Sequence, residues 1–243
     1  MKNKQNGVIV DYRASEEIIK NLEKLDLKII LSTVNKAVSP SLCAHPDMQI
    51  CKCSENTFVC SPDCYDHYKK VLSEFNVNLI QGGTFLNCNY PQDIAYNVAW
   101  IGDSAVHNIS YTDQKILDFF KTNNISVINV SQGYSKCNIC VVSNNAVITS
   151  DRGVYNVLKR NQVDVLLIGE NGIDIFGWDR GFIGGASGKI GDNLLVFCGD
   201  FSMHEDCERI KTFCSKYNVE CVSLSNERLM DFGSVIYIKN HFV

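Results

Sequence analysis

The sequence predicts an α/β fold: a five-bladed, pseudo-symmetric α/β propeller of strand–strand–helix–strand units, forming one domain over residues 1–243. Three observations predict it. Five short segments share one pattern of polar and apolar residues, an amphipathic helical pattern precedes each of them, and one C-terminal strand has no helix of its own.

The five segments are LDLKII (25–30), FNVNLI (75–80), NNISVI (123–128), NQVDVL (161–166) and YNVECV (217–222). Each holds a polar residue, mostly Asn or Asp, followed by apolar and polar residues in alternation. Asn and Asp tolerate the left-handed conformation that ends a helix. The alternation after them reads as a strand with one buried face. The preceding helices show apolar residues at three/four spacing: Ile18, Ile19, Leu22 and Leu25, then Tyr65, Tyr68, Val71, Leu72 and Phe75, then Ile116, Leu117, Phe119 and Phe120. Weaker versions run through 153–160 and 206–217. A short strand and turn residues come before each helix, at VIVDYRAS, FVCSPDCY, VHNISYTD, VITSDRGV and VFCGDFSM, starting at 8, 58, 106, 147 and 196. Most carry a Ser, Thr or Asp suited to an N-cap, and Asp151 and Asp200 read as caps. A further strand precedes four of these, at MQICKC (48–53), NVAWIG (97–102), NICVVS (138–143) and FIGG followed by SGKIG (182–191). The first unit lacks one. GSVIYI (233–238) is available to supply it, which would close the ring by pairing the two ends of the chain and remove exposed edges.

Composition narrows the function classes. Apolar residues make up 45% of the 243, which suits a packed core and excludes a disordered chain. No apolar run is long enough to span a membrane. The opening MKNKQNG, followed only by VIV and Asp11, does not read as an export signal. The net charge is −4 and Lys and Arg form no run, which argues against a nucleic-acid partner. Twelve cysteines without an export signal read as reduced thiols in the cytoplasm, mostly packed as small hydrophobes.

A ring of five such units resembles the pentein fold of the guanidine-modifying enzymes, including arginine and agmatine deiminases, dimethylarginine hydrolases and amidinotransferases. The whole chain is also similar to an uncharacterised bacterial family assigned to that fold. The resemblance implies a Cys nucleophile, a His in a His-x-Asp motif and carboxylates that hold a guanidinium. A carboxylate pair orients a planar cation by charge-assisted hydrogen bonds. The His then serves first as acid and later as base.

The match to His-x-Asp is His45-Pro46-Asp47. In the family's enzymes the nucleophile lies near the C-terminus, but Asp231-Phe232-Gly233-Ser234-Val235-Ile236 holds no Cys. Two units after His45, however, comes Gly133-Tyr134-Ser135-Lys136-Cys137-Asn138, a glycine-then-Cys run resembling the nucleophile segment. Tyr96-Asn97-Val98 resembles the intervening unit, and Asp231 before a glycine resembles the acidic guanidinium-binding segment. The resemblance therefore implies the family's site with its units in rotated chain order: Cys137 and His45 catalytic, and Asp47, Asp231 and Asn97 substrate-binding. The substrate would be a small guanidino or amidino compound, with no cofactor and no metal. The alternative is a non-catalytic binding or interaction protein on the same fold, which the missing C-terminal Cys favours.

Other constellations carry less. His67 falls on a predicted helix, His107 in a strand, His204 near a helix start and His241 in the tail. Cys140, three residues past Cys137, would face the opposite side of a regular strand. Cys51, Cys53, Cys60 and Cys64 lack the paired spacing of a zinc site and read as core. The run Gly181 to Gly188 lacks the ending of a phosphate loop and reads as a tight start of a strand, where backbone crowds the centre.

Overall fold

The computed structural model describes residues 5–240, so His241 lies outside the described residues. The chain opens with β1 (Gly7–Val10), α1 (Glu16–Lys24) and β2 (Lys28–Leu31). The second unit contains a single helical turn, α2 (Pro46–Gln49), then β3 (Ile50–Lys52), β4 (Thr57–Cys60), α3 (Tyr65–Val71) and β5 (Asn78–Gln81). The third is β6 (Ala99–Ile101), β7 (Ser104–His107), α4 (Gln114–Thr122) and β8 (Ser126–Asn129). The fourth begins with another helical turn, α5 (Ser135–Asn138), followed by β9 (Cys140–Ser143), β10 (Ala146–Thr149), α6 (Arg152–Arg160) and β11 (Asp164–Leu167). After a two-residue strand, β12 (Ile173–Asp174), come β13 (Ser187–Ile190), β14 (Leu194–Phe197), α7 (Cys207–Ser215) and β15 (Glu220–Ser223). The described chain ends with β16 (Leu229–Met230) and β17 (Ile236–Ile238).

Each unit makes one three-stranded sheet whose middle strand pairs antiparallel on one side and parallel on the other. The orphan C-terminal segment supplies the first unit's missing strand. β17 pairs antiparallel with β1, setting Gly7 opposite Ile238 and Ile9 opposite Ile236. A sixth, two-stranded sheet joins β12 to β16. The sheets stay separate and none closes on itself. The middle strands β1, β4 and β10 are buried at every position. Burial on both faces is what a central strand with a parallel crossover requires.

In four of the five repeated segments a polar residue takes the left-handed conformation expected of it, and Asn76 in the second does not. Asp26, Asn124, Gln162 and Asn218 all adopt positive φ, between 55° and 63°, just before a third strand. They turn the chain out of the helix and into the sheet. Ser15, Asp113 and Asp151 cap α1, α4 and α6 through their side chains, and Asp200 accepts from the Ser202 amide. Two strand boundaries differ from the sequence reading. The segments expected as strands from 48 and 138 are preceded or overlapped by the helical turns of α2 and α5, so β3 and β9 start at 50 and 140. Pro46 favours such a turn because its fixed φ suits the first helical position. Likewise FIGG is a turn, and β13 begins only at Ser187.

Cys51 and Cys53 sit side by side, Sγ to Sγ 3.6 Å, in an apolar cluster with Val59 and Ala105. Cys60 and Cys64 belong to a different cluster with Phe58 and Tyr68. The four thiols are thus split between two packed regions. Among the described residues no helix is long and apolar enough to cross a membrane.

Candidate active site

Cys137 lies in the single turn of α5, and Asn97, just ahead of β6, holds that turn in place. The Asn97 side-chain oxygen accepts from the Lys136 and Cys137 amides at 2.8 and 3.2 Å. Its nitrogen donates to Cys137 Sγ at 3.1 Å and lies within 3.2 Å of the Asp47 carbonyl and Met48 Sδ. Both ends of this amide are therefore engaged by the protein. The Cys137 thiol donates to Asp47 Oδ2 at 3.1 Å. Cys137 is only 2% exposed.

Asp47 comes from α2, where its amide donates to the Gly233 carbonyl. Its Oδ2 also lies 2.8 Å from the Ser234 hydroxyl, which receives a bond from Lys136 Nζ at 2.9 Å and sits 2.9 Å from the Gly184 carbonyl. Asp47 Oδ1 is buried with no hydrogen-bond partner. His45 occupies the position before α2 and is fully buried, and neither ring nitrogen has a hydrogen-bond partner. The nearest charge on its Nδ1 side is Asp231 Oδ1 at 3.8 Å. Buried polar atoms are nearly always paired, so three unpaired ones around a thiol mark a place prepared for something else.

Asp231 reaches the cluster from the segment between β16 and β17. Its two oxygens accept from the Gly233 and Phe182 amides, both at 2.9 Å. Gly233 and Ser234 follow with φ of 69° and 72°. A serine in this region is strained, and such strain concentrates at functional sites. The turn over 181–186 packs against both halves. Gly185 donates to the Cys137 carbonyl at 2.8 Å and accepts from the Ser234 amide at 2.7 Å. A Cβ on Gly185 would fall 2.0 Å from Asp231 Oδ1. Gly185→Ala should therefore displace the carboxylate and lower stability by about 1–3 kcal/mol. Gly83→Ala, whose Cβ would meet nothing closer than 3.8 Å, should change it by no more than about 0.5 kcal/mol. Urea denaturation of the two variants makes this comparison, and equal losses would contradict it.

Burial governs the charges. It lowers the His45 pKa to about 3, with the Arg13 charge acting in the same direction, so the ring is neutral. Burial, followed by the charge of Asp47, raises Asp231 to about 7. Asp47 is also raised by burial, against the pull of Lys136. The Cys137 thiol is pushed far up by burial and then by Asp47 and Asp231. At rest the centre holds a neutral base, a protonated thiol and two carboxyls lacking enough cationic partners.

The structure brings together all five residues singled out from the sequence: Cys137, His45, Asp47, Asn97 and Asp231. Ligand atoms of His45, Asp47 and Cys137 lie within 4.8 Å of one another, the one such group of potential metal donors among the described residues. Asn97 differs from expectation in that it braces Cys137 with its whole amide. Cys140 packs elsewhere, against a cluster containing Leu195 and Phe197. His107 is tied to Thr112 Oγ1 and the Gly133 carbonyl at 2.6 and 3.0 Å. His67 contacts the Leu31 carbonyl, and the His204 Nδ1 accepts from the Asp206 amide. Lys136 and Ser234 were missed as site residues, although each adjoins a motif position in the sequence.

Residues 9–236 match a protein family described as a family of unknown function (DUF6873). The chain belongs to this family. No curated protein matches the sequence. Solved structures are similar to this chain in fold. A crystal structure of dimethylarginine dimethylaminohydrolase, as an adduct with 4-chloro-2-hydroxymethylpyridine, matches with a TM-score of 0.57 and 9% identity. That match covers 91% of this chain and 92% of the other. Inosamine-phosphate amidinotransferase from Streptomyces griseus matches with a TM-score of 0.53 and 10% identity, covering 100% and 97% of the two chains. The fold of this DUF6873 member is thus the mixed α/β fold of the pentein structures.

Proposed function

We propose that the protein is a cysteine-dependent hydrolase or transferase acting on a small guanidino or amidino compound, in the cytoplasm and without a cofactor. The observation that carries this reading is the buried meeting of the Cys137 thiol, the His45 ring and the Asp47 carboxyl within 4.8 Å, with His45 Nδ1, His45 Nε2 and Asp47 Oδ1 all unpaired. We also read the five three-stranded sheets as blades of one ring and one domain. In support, β13 neighbours both β17 and β9, β6 neighbours β9, and residues of all five outer strands line a common cavity.

In the proposed reaction a guanidinium lies against Asp47 and Asp231 and gives Asp47 Oδ1 a donor. Its positive charge offsets the two carboxylates that, after burial, raise the Cys137 thiol. Cys137 passes its proton to neutral His45, and the thiolate forms a C–S bond at the guanidinium carbon. The C–N bond to the leaving amine then breaks as His45 returns the proton to that amine. Water, in a hydrolase, or a second amine, in a transferase, attacks the Cys137-bound amidino carbon. His45 takes the attacker's proton, and the C–S bond breaks to restore the thiol. Asn97 is a positioning residue in this scheme.

The test is brief treatment with 2-chloroacetamidine followed by mass-spectrometric mapping, with iodoacetamide as the neutral control. The cationic reagent should label Cys137 selectively, and arginine and His45→Ala should each slow it. Labelling confined to the outward Cys88, Cys43, Cys207 and Cys221, unaffected by arginine, would remove the enzyme reading. That outcome favours the second reading, a binding protein on the same fold, for which the near-complete cover over Cys137 speaks.

A further inference from the structure

A cavity of about 440 Å³ is lined by residues of β3, β6, β9, β13 and β17 and by Lys136, the chain neighbour of Cys137. Its size is that of a small-molecule site. Lys52, Lys136, Lys189 and Lys239 line it, against the carboxylates of Glu55 and Asp192 alone. Four ammonium groups facing two carboxylates make this a positive cavity in a chain whose net charge is −4. Between the charges the walls mix polar Ser143, Asn144 and Ser187 with apolar residues and the rings of Trp100 and Tyr237. Lys52 Nζ is held between those two rings, 5.6 and 5.7 Å from their centroids. Its partner Glu55 is 3.3 Å away and half exposed at the rim. Lys136, by contrast, comes from the turn that carries Cys137, and its Nζ donates to Ser234 Oγ.

We propose that this cavity is a second binding site, for a small organic anion with a flat apolar body, whose carboxylate, phosphate or sulfonate is held by Lys52 and Lys136. The site is separate from the guanidino-binding centre, which selects the opposite charge. Burial lowers the pKa of both Lys52 and Lys189, against the opposing pull of Glu55 and Asp192. The two sites share a hydrogen-bonded line. Lys136 Nζ donates to Ser234 Oγ, which lies against Asp47 Oδ2, which accepts from the Cys137 thiol. An anion drawing Lys136 toward the cavity would loosen that line, so occupancy should register at Cys137.

The probe is 1-anilinonaphthalene-8-sulfonate, with N-phenyl-1-naphthylamine as its uncharged counterpart. The sulfonate should bind at one site per chain and at least about tenfold more tightly than the neutral dye. The chain has two tryptophans, Trp100 and Trp178. Energy transfer to the dye should be more efficient in Trp178→Phe, which keeps the donor that lines the cavity, than in Trp100→Phe. Lys52→Gln and Lys136→Gln should each weaken the sulfonate about tenfold and leave the neutral dye unchanged. Lys52 makes no contact with Ser234 or Asp47, so its variant decides the matter if Lys136→Gln disturbs folding. Equal affinity for the two dyes, transfer in Trp100→Phe as efficient as in Trp178→Phe, or indifference to Lys52→Gln in a variant with unchanged circular dichroism would overturn the proposal. None of these outcomes depends on Cys137 reactivity, so this site and the proposed enzyme activity fail independently.

Discussion

Replacing Cys137 by Ala is expected to reduce turnover of a guanidino substrate by at least about 10³-fold, because the proposed covalent step uses its sulfur and the cluster holds no second thiol. The cost in stability should be modest, about 1–2 kcal/mol, since Ala removes one small buried group and leaves no new charge. Asp47 loses the thiol donor but keeps the Ser234 hydroxyl at 2.8 Å. The contrast matters because Asn97 acts differently. Asn97→Ala strips the acceptor from two amides of the α5 turn and a donor from the sulfur, so it should lower both stability and rate. Assaying amine release alongside urea denaturation separates the two. A Cys137→Ala variant that retains turnover would sink the nucleophile assignment, whatever its stability.

That these five residues meet was legible because each sits near the start of the outer strand of its unit or in the turn leading to it. A repeat places such positions around one centre, so short motifs far apart in sequence could be read as one constellation. Helix ends were legible for a related reason: the left-handed residues Asp26, Asn124 and Asn218 announce themselves by type. What escaped has physical causes. The turns α2 and α5 hold four residues each, too few for a helical period to show. The pairing of β12 with β16 rests on two residues per strand. Ser234 meets Asp47 across 187 positions, and no local pattern encodes such a contact. The cavity lysines were hidden because a polar residue in an alternating strand reads as facing solvent. Lys52 and Lys189 instead face a cavity between sheets.

The same burial that shapes the site makes stability depend on pH in two opposed ways, and single variants should separate them. His45 and His107 have folded pKa values lowered to about 3 and about 4 from 6.5. A lowered value means the folded state excludes the proton that the unfolded chain binds, so their contribution is complete above pH 6.5 and is lost as pH falls toward 4 and 3. Asp231 is raised to about 7 from 3.8, so its contribution is complete below pH 3.8 and is lost as pH rises through about 7. All three groups are 0% exposed, so solvent screens little of this. Between pH 7 and pH 5 each histidine should cost about 2 kcal/mol, while Asp231 returns about 2 kcal/mol. On these three groups the balance falls between pH 7 and pH 5, and buried Asp47, also raised, offsets part of that fall. His45→Gln should flatten the difference by about 2 kcal/mol, and Asp231→Asn should steepen it by a similar amount. Urea denaturation of the three proteins at both pH values measures this. Parallel profiles for all three would show that neither group carries the charge state assigned to it, and would remove the neutral His45 on which the proton transfers depend.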